Sequence, residues 1–80
     1  MTQNFNIELD GINFRFVTMN RVQLQLFQVY VPHNGKTVRF HMQAEPDGIF
    51  KIVGNDVCPK EFLHLESTFN DAIQKLGSVS

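Results

Sequence analysis

At 80 residues, 42% hydrophobic and 19% charged, the chain has the composition of a folded domain and the length of a single one. That excludes a disordered tail, a collagen-like repeat and a coiled-coil rod. Seven Lys plus Arg against eight Asp plus Glu give a formal charge of −1, too balanced for the overall field to drive non-specific nucleic-acid or membrane binding.

The lone Cys58 has no partner for an internal disulfide, and no Cys/His array has the spacing of a structural zinc site. Residues 1–80 are therefore read as one domain without staples. Such a domain buries only about 60% of its unfolded surface and has a stability of a few kcal/mol. Its support must come from an aromatic core, for which there are eight Phe, or from a second chain. The start, Met1-Thr2-Gln3-Asn4, lacks a basic region followed by an apolar one, and no apolar run reaches membrane-spanning length. A soluble, cytoplasmic chain with no membrane partner is expected.

In chain order, Phe5, Ile7 and Leu9 alternate with polar residues, as do Ile12, Phe14 and Phe16, with Asp10-Gly11 between the two runs. A two-residue type I′ turn there pairs Leu9 with Ile12, Ile7 with Phe14 and Phe5 with Phe16, all on one face. Asn34-Gly35 marks a second such hairpin, which pairs Val31 with Val38, Val29 with Phe40 and Phe27 with Met42. Glu45-Pro46-Asp47-Gly48 suits a three-residue loop that sets Ala44 opposite Phe50 and Met42 opposite Ile52.

From Pro59 the period changes to about 3.6, with Phe62, Leu65, Phe69, Ile73 and Leu76 forming one stripe. Pro59 suits a helix start and Gly77 a helix end. A single continuous helix is the preferred reading, although Ser67 as a cap allows a break near residues 64 to 67. The fold class is thus α+β. Five antiparallel strands, roughly 5–9, 12–19, 22–31, 37–44 and 49–53, form a meander with one C-terminal amphipathic helix packed on one face.

The apolar phase changes between Val22-Gln23-Leu24-Gln25-Leu26 and Phe27-Gln28-Val29. A β-bulge at Leu26 and Phe27 would turn every apolar residue inward. A straight strand with Asn20-Arg21 as a two-residue turn is preferred. It pairs Phe14 with Phe27 inside, and Met19 with Val22 and Val17 with Leu24 outside. An outward apolar patch of Val17, Met19, Val22, Leu24, Leu26 and Ile49 follows, of a size that marks a contact surface. Five strands also make a sheet about 24 Å wide, more than one helix of about 10–12 Å covers. Either the sheet coils strongly or a second copy completes the cover.

Cys58 near a helix start, with His33, His41 and His64, raises the option of a thiolate nucleophile or a metal site. No triad partner, oxyanion turn or ligand spacing accompanies them, so no catalytic residue, metal or cofactor is expected. Glu61, Glu66 and Asp71 read as a solvated helix face, and Glu45 with Asp47 as turn residues. The expected function is that of a non-catalytic interaction module, a homodimer or a binder of another protein, joined through the apolar patch or an edge strand, 5–9 or 49–53. The alternative is a weak single-stranded nucleic-acid binder that uses Arg15, Tyr30, Arg39, His41 and Lys51 on the outer face.

Overall fold

The computed structural model describes residues 2–54 and 57–78. Strands β1 (Phe5–Leu9), β2 (Ile12–Thr18), β3 (Leu26–His33), β4 (Lys36–Ala44) and β5 (Phe50–Val53) form one antiparallel sheet in sequential order. Helices α1 (Lys60–Leu63) and α2 (Glu66–Leu76) follow. The α+β meander anticipated from the sequence is the fold.

Turn chemistry sets three of the four registers. Asp10 and Gly11, and likewise Asn34 and Gly35, take positive φ as a type I′ turn requires. Leu9 then opposes Ile12 and Phe5 opposes Phe16, while Val31 opposes Val38 and Phe27 opposes Met42. At the third turn the Gly48 N–H donates to the Glu45 carbonyl and the Glu45 N–H to the Ile49 carbonyl. Gly48 sits at φ 85°, so Ala44 meets Phe50 and Met42 meets Ile52.

The β2–β3 connection corrects the sequence reading. β3 begins at Leu26, not at residue 22, and Phe16 opposes Val29 while Thr18 opposes Phe27. The pairings of Phe14 with Phe27, Met19 with Val22 and Val17 with Leu24 do not occur. Residues 19–25 form a loop held by Asn20, whose side-chain oxygen accepts the N–H groups of Val22 and Gln23 at 3.1 and 3.0 Å. The Thr2 and Thr18 hydroxyls, 2.7 Å apart, both meet the Asn20 carbonyl. An Asx turn offers the chain local hydrogen bonds that a two-residue hairpin here would forgo. No bulge is needed, because β3 alternates cleanly from Leu26 onward and Phe27, Val29 and Val31 are fully buried.

The helical segment is also corrected, from one helix to two. It breaks at His64-Leu65, where the Leu65 N–H donates to the Phe62 carbonyl three residues back and the Phe69 N–H restarts the helix on Leu65. The stripe survives the break. Phe62 lies edge-on to Phe14, and Phe69 sits among Phe14, Phe16 and Phe40 at ring-centroid distances of 5.0, 5.6 and 6.0 Å. Such contacts add to the burial of the rings themselves. Gly77 ends α2 as expected, but its φ of −81° needs no glycine. Space does: a Cβ there would lie 2.8 Å from the Ile73 carbonyl and 2.9 Å from the Phe27 ring.

Candidate functional site

The two edges of the sheet are built differently. β5 is sealed by α2. The Phe50 N–H donates to the Asn70 side chain and the Ile52 N–H to the Glu66 carboxylate, each at 2.9 Å, and the Gln74 amide donates to the Gly48 carbonyl at 2.9 Å. The match is geometric. Four residues of helix rise about 6 Å and two residues of strand about 6.6 Å, so a helix row at i, i+4 and i+8 meets alternate positions of a strand. Glu66 thus caps an edge strand and does not belong to a solvated face. Lys51 Nζ lies 3.7 Å from the same carboxylate.

β1 is open. In its two-residue hairpin, Leu9, Ile7 and Phe5 exchange main-chain hydrogen bonds with β2, so the N–H and C=O groups of Asn6 and Glu8 point away from the sheet. Among the described residues nothing on the far side bonds them. The inner face beside this edge is incompletely covered as well. Phe14, Phe16, Phe40 and Phe69 are fully buried, but Phe5, Ile7, Leu9 and Ile12 are only half-buried at the rim of the core. Phe5 stacks on Phe16 with centroids 4.6 Å apart and meets Phe27 edge-on at 5.8 Å, yet stays only half-buried. The single helical layer leaves this rim of the sheet only partly covered.

The proposed outer patch is not brought together. Val17 and Leu26 are half-buried on the outer face. Met19, whose N–H donates to the Leu26 carbonyl, lies beside them at 49% exposure. Val22 is in the loop, 79% exposed. Leu24 turns the other way: it packs on the core, and a Cβ on Gly77 would lie 3.3 Å from its methyl. Ile49 is exposed at the third turn, beyond β4, where its carbonyl accepts the Glu45 N–H. Once residues 19–25 leave the sheet, Val22 and Leu24 leave the patch with them.

The polar outer residues fare differently. Arg15 opposes Tyr30 and Tyr30 opposes Arg39, so the three form one row across β2, β3 and β4. The Tyr30 hydroxyl donates to the Gln28 side chain at 2.7 Å, and the Gln28 amide meets the His41 ring at 3.4 Å. Among the described residues no carboxylate lies within ion-pair distance of Arg15 or Arg39. Lys51 is drawn off to Glu66 at the sealed edge and stands apart from the row.

Cys58 is buried, and burial, reinforced by the Glu66 carboxylate, raises its thiol to about 11. At neutral pH it is a protonated thiol, which gives the nucleophile option no support. His33 ends β3 against the Phe62 ring, with Nδ1 3.5 Å from Glu61, and His64 is exposed at the helix break. Among the described residues no three His, Cys, Asp or Glu side chains converge, and no helix is long and apolar enough to cross a membrane.

The open edge was only half visible beforehand. Strands 5–9 and 49–53 both read as free edges. The row Glu66, Asn70 and Gln74, running beside the apolar stripe at four-residue spacing, carries the difference, but a solvated helix face has the same pattern. Compared with known protein families, curated proteins and solved structures, the chain shows no match to any of the three.

Proposed function

We propose that this chain is a small non-catalytic interaction module that works as a homodimer, associating along its β1 side. The observation that carries the reading is the contrast between the edges: α2 occupies the β5 edge, while β1 offers main-chain groups that nothing bonds among the described residues, next to a half-buried apolar ledge. Exposed strand edges are templates for another strand unless something blocks them. A formal charge of −1 opposes the approach of a second copy only slightly. Sedimentation equilibrium across the micromolar range tests this. The expected mass is twice 9.2 kDa, reverting to 9.2 kDa for Ile7→Lys. A wild-type chain that stays monomeric at the highest concentration contradicts it.

A second reading is favoured by the row Arg15, Tyr30 and Arg39, whose guanidinium groups have no carboxylate within ion-pair distance among the described residues. One ring for stacking and two cations beside it suit weak binding of single-stranded nucleic acid. Anisotropy of a labelled oligonucleotide should then show affinity falling steeply with salt and lost in Arg15→Ala/Arg39→Ala. Self-association through apolar groups does not respond to salt in that way.

A further inference from the structure

We infer that two copies join β1 to β1 antiparallel, about a two-fold axis passing between the two Ile7 residues, to form one ten-stranded sheet. The inference rests on the self-association reading above and specifies its partner and register.

The main-chain groups limit the choices. In an antiparallel pair, residues whose N–H and C=O face the partner must oppose residues of the same kind. On β1 these are Asn6 and Glu8. Three symmetric registers remain, with Asn6 opposite Asn6, Asn6 opposite Glu8, or Glu8 opposite Glu8. The last places two carboxylates directly across from each other, which is unfavourable. The first sets Glu8 against Asn4, which precedes the strand and already uses its side-chain oxygen to accept the Thr18 N–H at 2.9 Å.

The middle register has neither fault. Asn6 and Glu8 of one copy exchange main-chain hydrogen bonds with Glu8 and Asn6 of the other, and each carboxylate acceptor meets an amide donor on the outer face. On the inner face Ile7 meets Ile7 and Phe5 meets Leu9 of the second copy, which brings the two half-bare ledges side by side. A two-fold axis normal to the sheet keeps both helical layers on the same side. The surface is self-complementary, as an isologous contact requires.

Cysteine trapping and charge exchange test the register. In a Cys58→Ala background, Ile7→Cys should crosslink two copies on mild oxidation, because opposed residues at such a site have Cα atoms about 4.5 Å apart. Leu9→Cys should not, since the two copies of position 9 lie four strand residues apart. Asn6→Glu should weaken the dimer about tenfold or more by facing carboxylates with carboxylates, and adding Glu8→Lys should restore it by pairing opposite charges. All these side chains lie at the rim of the fold, and circular dichroism checks that each variant is folded. A wild-type dimer in which Leu9→Cys crosslinks as readily as Ile7→Cys, or in which Asn6→Glu changes nothing, overturns this register and leaves self-association standing. A wild-type monomer overturns both.

Discussion

β5 and β1 are the two edges of one sheet, and each presents alternate main-chain groups to its outer side. At β5 a helix row of polar side chains meets those groups, and the aromatic core closes beneath the strand. At β1 nothing meets them among the described residues, and the apolar residues stay half-buried. The difference arises because one helix pair is narrower than five strands, so the helices must favour one side. The chain places α2 along β5, and among the described residues the β1 side is left without such a cover.

The contrast can be broken first at the core. Phe69→Ala, under the covered half, should cost about 3–5 kcal/mol in urea unfolding, whereas Leu9→Ala at the rim should cost about 1 kcal/mol in dilute monomer. Equal losses would mean that the ledge is covered after all. Asn70→Ala removes the acceptor of the Phe50 N–H and should cost about 1–3 kcal/mol. It should also open the second edge, so concentration-dependent association beyond the dimer is expected in light scattering.

A further effect is one of pH. The Cys58 thiol is raised from 9.0 to about 11 in the fold, so its contribution is fully present below pH 9 and is lost as pH rises toward 11. Unfolding free energies followed through that window should fall by about 2 kcal/mol in the wild type. They should fall less in Cys58→Ala.

Local chemistry made much of this legible beforehand. Asp10-Gly11 and Asn34-Gly35 each fix a register within a few residues, because few residue types tolerate two successive positive φ values. The loop 19–25 was not legible, because what holds it is partly tertiary: Thr2, from the far end of the β1–β2 hairpin, binds at Asn20 and at the Arg21 carbonyl. Leu24 shows the consequence. As a strand residue it would alternate outward, but freed by the loop it reaches the core near Gly77. The sealing of β5 was hidden for another reason: Glu66, Asn70 and Gln74 look the same on a solvated helix as on one lying along a strand edge. The open edge could be recognised only after its counterpart was seen to be closed.

Amide hydrogen exchange at four residues, followed through a dilution series, tests the central claim most directly. Phe50 and Ile52 should be protected at every concentration, because their partners are in the same chain. Asn6 and Glu8 should exchange fast when dilute and become protected as concentration rises. Fast exchange of Asn6 and Glu8 at all concentrations, under conditions where the chain sediments as a dimer, would contradict it.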